Sequence, residues 1–196
     1  MKKNLLFAIF AVLFAASGSY AQNFMDKATF DLKGNVVSVS SSVVGYSNTA
    51  LAVAAEFSPN GKLKSIGGMT LTKDQNGSYE IARNAKGQIK SISCVEGDGE
   101  KKVNYRYNAT GQVIGYNVMY VNEDTDEEIL AWTVTRKFGT NGQVTSEDFK
   151  GSDGATMHYT YTYNKIDAKG NWTERLVSET SQKIRNQKET RTITYK

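Results

Sequence analysis

The chain has 196 residues, with 24 Lys and Arg against 20 Asp and Glu, and only one histidine, one cysteine and one proline. A lone cysteine excludes an intramolecular disulfide, and one Cys with one His are too few soft ligands for a zinc site. No basic stripe interleaved with aromatics is visible, so a nucleic-acid partner is not expected.

Met1, Lys2 and Lys3 precede an apolar run from Leu5 to Ala16, and Ser19 and Ala21 place small residues three and one before a cleavage point. That order is a cleavable secretory signal over 1–21. A run of about 12 apolar residues is short of the roughly 20 that span a bilayer as a helix, so no integral membrane anchor is expected. Removing Lys2 and Lys3 leaves 22 basic against 20 acidic residues, a nearly neutral mature chain. No cysteine stands at the cleavage point to carry a lipid, so the expected location is periplasmic or secreted. Residues 22–196 are long enough for a single domain with its own core, in which Cys94 is expected as a small buried hydrophobe.

From residue 30 onward a degenerate unit repeats: an aromatic, a glycine four residues later, then apolar residues two and five beyond it. It runs Phe30, Gly34, Val36, Val39; then Phe57, Gly61, Leu63, Ile66. The third copy, Gly87, Ile89, Ile92, has Arg83 in the aromatic place. Tyr107, Gly111, Val113, Tyr116 follow, then Phe138, Gly142, Val144 with Glu147 in the last apolar place. A stretched sixth copy has Tyr163, Gly170 and Trp172. Successive glycines lie 27, 26, 24, 31 and 28 residues apart. Two strands and two turns fill such a unit.

Between the glycine-led strands, Leu51–Phe57, Val103–Tyr107, Trp132–Phe138 and Met157–Tyr163 alternate apolar or aromatic with polar residues, the two-residue period of a strand. Asn60-Gly61, Asn76-Gly77, Asn141-Gly142 and Asp153-Gly154 supply hairpin turns that need positive φ, and Pro59 falls in one of them. The two apolar positions after each glycine are three apart, which an undistorted strand would send to opposite faces, so a bulge is expected there. A last hairpin is expected from Leu176–Ile184 and Lys188–Tyr195. The fold class is therefore all-β: an antiparallel meander of about twelve strands from about six hairpin repeats, curled or closed into a barrel-like sheet.

The string aromatic, Asp or Asn, two residues, Gly, one residue, Leu or Val resembles the YD repeats of RHS-type bacterial surface and toxin-shell proteins. The closing pieces Asp167-Ala-Lys-Gly170-Asn-Trp172-Thr173 and Arg191-Thr-Ile-Thr-Tyr195 resemble the ends of small secreted Bacteroidetes proteins of unknown function with a porin-like antiparallel fold. The resemblance spans nearly all of residues 22–196. It implies an architecture and carries no catalytic residues. The longer period and Arg83 depart from true YD repeats and favour a small curled sheet over the large RHS shell.

Chemistry is sparse. His158 lies on the threonine side of an aromatic strand, and a nucleophilic triad would need Cys94 or a serine brought to it with a carboxylate behind. The loop Asn122–Glu128 offers oxygens at alternate positions, yet lacks the sixth-place glycine and twelfth-place carboxylate of a calcium loop. No catalytic residue, metal site or cofactor is assigned. Trp172, Tyr116 and Tyr120 are the candidate ligand-binding residues: Trp172 stands where other copies have an aliphatic, and the tyrosines flank a long loop. The expected function is that of a non-enzymatic cell-envelope protein binding a glycan, peptide or envelope protein through a sheet face or lumen. The alternatives are a small outer-membrane β-barrel and an enzyme whose site is scattered along the chain.

Overall fold

A computed structural model of the chain describes residues 25–44, 50–66, 69–70, 79–95, 100–122, 125, 127–180 and 187–196. The expected signal segment 1–21, the expected Asn76-Gly77 turn, Glu123, Asp124, Asp126, Ile184 and the side chain of Cys94 lie outside the described residues.

The described residues form one 13-stranded antiparallel sheet. Its strands are β1 (Val36–Val44), β2 (Ala50–Phe57), β3 (Leu63–Ile66), β4 (Met69–Thr70), β5 (Tyr79–Arg83), β6 (Ile89–Val95) and β7 (Glu100–Tyr107). They continue as β8 (Val113–Val121), β9 (Glu128–Phe138), β10 (Val144–Gly151), β11 (Thr156–Ile166), β12 (Trp172–Glu179) and β13 (Gln187–Tyr195). Each pairs with its neighbours in the chain, except that β1 also pairs with β13 and that β4 and β5 share no ladder. The meander is as expected, with thirteen strands where about twelve were anticipated, and it is an open sheet rather than a closed barrel. The last hairpin begins at Trp172, earlier than expected, and a short helix not foreseen, α1 (Met25–Thr29), precedes the sheet.

The glycines mark one kind of turn. At Asn84 the backbone N–H donates to Gln88 O at 2.9 Å and Gly87 N donates to Asn84 O at 2.8 Å. The Asn84 side-chain oxygen accepts from the N–H groups of Lys86 and Gln88, both at 3.0 Å. Asn108 and Asp167 cap their turns in the same way. Gly111 closes its turn at φ 85°, a conformation that costs an L residue with a Cβ.

One residue beyond the turn the ladder skips. Arg83 faces Ile89 and Ala82 faces Ser91, so Lys90 is bulged out; equivalent shifts follow Val36, Leu63, Val113 and Val144. The extra residue restores parity. Val36 with Val39, Leu63 with Ile66, Ile89 with Ile92 and Val113 with Tyr116 are all buried together, while the bulged Val37 and Ile114 face outward.

The sheet is strongly curled. Segment 25–34 touches strands far apart in it: Phe30 meets Phe57 of β2 edge-on at 5.5 Å, Thr29 Oγ1 lies 3.3 Å from Tyr107 Oη of β7, and Phe30 O accepts from Arg191 of β13. Laid flat, those strands would spread over tens of ångströms at about 4.8 Å each. The N-terminal segment therefore sits inside the curl, at the end that carries the glycine turns. Asp26 of α1 joins the two sides of the open seam, accepting from Leu63 N at 2.6 Å while Arg83 of β5 grips both carboxylate oxygens at 2.5 and 2.6 Å.

Replacing Gly111 by Ala imposes positive φ on an L residue and brings its Cβ to 3.2 Å from the Gln88 amide. We expect a loss of about 1–2 kcal/mol, read as a lower urea midpoint at unchanged slope. A midpoint equal to wild type would contradict this account of the turn.

Candidate functional site

The bulge admits more than hydrocarbon. In the fifth copy its inward positions are Val144 and Glu147, and in the sixth Trp172 and Arg175. Arg136 of β9 stands directly opposite Glu147. Its Nε donates to Glu147 Oε1 at 2.7 Å, Tyr161 Oη donates to Glu147 Oε2 at 2.6 Å, and the guanidinium lies 5.2 Å from the Tyr116 ring centre. Arg175 Nε donates to Glu189 Oε2 of β13 at 2.5 Å, with its guanidinium 4.3 Å from the ring centres of both Tyr161 and Trp172. Arg191 Nε donates to Trp172 O at 2.5 Å, and its other nitrogens reach Phe30 O and Asp31 O, each at 3.3 Å.

Three buried guanidiniums thus face two carboxylates in direct pairs. Asp31 brings a third carboxyl group, on a residue held at φ 58° with both side-chain oxygens buried and without a hydrogen-bond partner. Burial pushes its pKa up to about 7, against the pull of Arg136, Arg191 and Arg175, and Glu147 adds a smaller push upward. Burial likewise draws Arg191 down to about 10, with Asp31 the foremost opposing charge. For Arg136 and Arg175 burial is outweighed by the facing Glu147 and Glu189, and both guanidiniums titrate above their ordinary range.

Toward the end away from the glycine turns the inner face becomes aromatic. Phe149 is the hub, with Tyr159 at 5.2 Å, Tyr116 at 6.3 Å and Trp132 at 6.4 Å between ring centres, each edge-on. Phe149 is buried, whereas Trp132, Met157 and Tyr159 are only partly covered. Gly151 makes room for the indole, since a Cβ there would lie 3.2 Å from the Trp132 ring.

The three residues singled out in the sequence are not brought together. Trp172 is buried against the Arg175 and Arg191 guanidiniums, and Tyr116 is buried in the core. Tyr120 is 38% exposed near the end of β8, with the Lys101 ammonium 5.9 Å from its ring centre. His158 lies on the outer face, as its place among threonines implies, with Nδ1 2.5 Å from Asp148 Oδ1. Among the described residues no group of His, Cys, Asp and Glu is placed to hold a metal ion. Sequence reasoning missed the buried charges, although Glu147 in an apolar place and Arg83 in an aromatic one marked where the interior departs from hydrocarbon. The chain matches no known protein-family model, and no curated protein is significantly similar to it.

Two outcomes follow. Glu147→Ala leaves the Arg136 guanidinium and the Tyr161 hydroxyl without their shared acceptor and should cost about 3–5 kcal/mol, with the Arg136→Met/Glu147→Leu pair costing far less; equal losses in chemical denaturation would contradict the buried pair. Asp31 holds its proton more tightly folded than unfolded, so its contribution is complete below about pH 4 and is lost as pH rises through about 7. Asp31→Asn, which tolerates positive φ, should therefore gain stability over wild type as pH rises from about 4 to about 7, on the order of 1.4 kcal/mol per pH unit at most, and level off above. A difference between the two proteins that does not change with pH would refute the assignment.

Proposed function

We propose that this chain is a non-enzymatic exported cell-envelope protein that acts as a binding module, taking a glycan or peptide on the inner face of its sheet at the end away from the glycine turns. The observation that carries this is the half-covered group of Trp132, Tyr159 and the Met157 thioether over buried Phe149. Flat, partly exposed rings on a rigid sheet suit stacking on a sugar ring or a peptide side chain at little entropic cost. Export rests on the signal-like segment 1–21, and kinship with hairpin-repeat secreted proteins rests on the glycine-marked unit.

The seam of the open sheet falls between β4 and β5, with Asp26 linking both sides. The outward face weighs against lipid as its surroundings: Arg106, Thr160, Thr162, Asn164, Lys188 and Thr192 are all exposed on it.

The test is a thermal-shift screen of glycans, peptides and lipids on the mature protein, followed by Trp132→Ala. A ligand that raises the melting temperature of wild type and at least tenfold less tightly binds the variant is expected, about 1.4 kcal/mol lost. If no compound shifts wild type, or the variant binds equally well, the aromatic end is not the site. Recovery of the protein only in detergent-solubilised membranes would favour the outer-membrane alternative.

A further inference from the structure

The glycine-marked connections ahead of β1, β3, β6, β8, β10 and β12 all lie at one end of the antiparallel sheet. Four of them carry a lysine directly before or after the glycine: Lys33, Lys62, Lys86 and Lys169. The turn itself does not call for one. Ahead of β8 and β10 the glycine stands between Thr110 and Gln112 or between Asn141 and Gln143. Yet Gly111 N donates to Asn108 O at 3.1 Å and Gly142 N to Gly139 O at 2.9 Å, as Gly87 N does to Asn84 O at 2.8 Å. Among the described residues none of the four ammonium groups is held by a carboxylate. The acids of this end are engaged elsewhere: Asp26 by Arg83, Asp167 by the amides of its own turn and by Tyr195, Glu56 by Lys64 and Glu174 by Lys165. Both side-chain oxygens of Asp31 are buried.

The four lysines are neighbours along one rim. Sheet order sets β3, β2, β1, β13 and β12 side by side. Lys33 Nζ lies 3.3 Å from where a Cβ on Gly170 would stand, which brings it to the Lys169 turn. Across the seam, Asp26 ties Leu63 N, next to Lys62, to Arg83, whose guanidinium also donates to Gly87 O at 3.0 Å, next to Lys86. The mature chain is nearly neutral, so the attraction comes from this local crowding of charge. Two aliphatic side chains stand outward at the same rim: Ile166, 48% exposed just ahead of the Lys169 turn, and Val37, 40% exposed and bulged out at the start of β1.

We propose that this lysine-bearing end docks peripherally on an anionic lipid bilayer, the ammonium groups meeting headgroup phosphates and Ile166 and Val37 entering the interface. A bilayer accepts both kinds of side chain, positive charge at its phosphates and hydrocarbon just beneath. A water-soluble polyanion offers no apolar layer and would leave the two aliphatic side chains in water. Docked in this way, the sheet turns its aromatic end away from the membrane. The two surfaces share no residue, and either can fail alone.

The experiment sediments the full mature chain with vesicles of phosphatidylcholine alone, or of phosphatidylcholine and phosphatidylglycerol in equal parts. Wild type should bind the anionic vesicles and not the neutral ones. Binding should weaken as salt rises from about 0.01 M to about 0.15 M, where the screening length falls from about 30 Å to about 8 Å. Replacing Lys33, Lys62, Lys86 and Lys169 by Gln one after another should lower the partition coefficient about fivefold at each step. Ile166→Ser should weaken binding without altering its salt dependence, and Lys150→Gln at the opposite end should change nothing. Equal binding to both kinds of vesicle, or a fourfold Gln variant that binds as well as wild type, overturns the proposal. Retention on dextran sulfate without binding to anionic vesicles also overturns it, in favour of a soluble polyanion. Should the fourfold variant fail to fold, the vesicle and salt comparisons on wild type and Ile166→Ser decide.

Discussion

Side chains three apart along a strand fall on opposite faces unless a residue is bulged out between them, and the residue inserted after each turn glycine of this protein sets the content of its interior. Each copy of the repeat thereby sends two side chains inward where alternation would send one. Where both are aliphatic, as at Ile89 and Ile92, the result is a dry wall. Where the second is Glu147 or Arg175, the same geometry forces a charge out of water. A buried charge persists only when its partners are in place. The arginines and carboxylates of β9, β10, β12 and β13 answer one another across strands for that reason.

The chain's two ends depend on this arrangement. Tyr195 of β13 faces Val36 in the ladder, in the relation that Phe57 has to Leu63 and Tyr107 to Val113, so the last strand completes the first hairpin. Phe30, although it occupies the aromatic place in the sequence, is released from that duty and packs inside against Phe57. Tyr195 then donates to Asp167 and accepts from Asn171, while Asn171 also bonds Lys33. The N-terminal segment is held by the residues that close the sheet, which couples its position to the integrity of the β1 and β13 ladder.

Much of the architecture was legible because it is local. The turn glycines, the alternating aromatic strands and the three-residue spacing each have a cause within a few residues, and the bulge follows from parity alone. The pairing of β1 with β13 was not legible, since nothing near Val36 specifies a partner some 150 residues away. The short helix escaped because five residues give no periodicity to detect. The buried ion pairs escaped for a different reason: Arg136 shares the inward phase of Trp132 and Val134, but nothing in its own strand names Glu147, across the ladder, as its partner. Trp172 was noticed for breaking the pattern, but what it breaks the pattern for is stacking on two guanidiniums.

The three interior arginines share one feature that solution spectroscopy reads directly. Each donates through Nε–H, Arg136 to Glu147, Arg175 to Glu189 and Arg191 to Trp172 O. In nitrogen-15 spectra at neutral pH, three arginine Nε–H signals should be sharp, shifted from the bulk position and slow to exchange with water, and each should vanish in the matching Arg→Lys variant. Arginine Nε–H groups that all exchange at the rate of exposed side chains would mean that these residues do not face inward, and the account of the interior would fall.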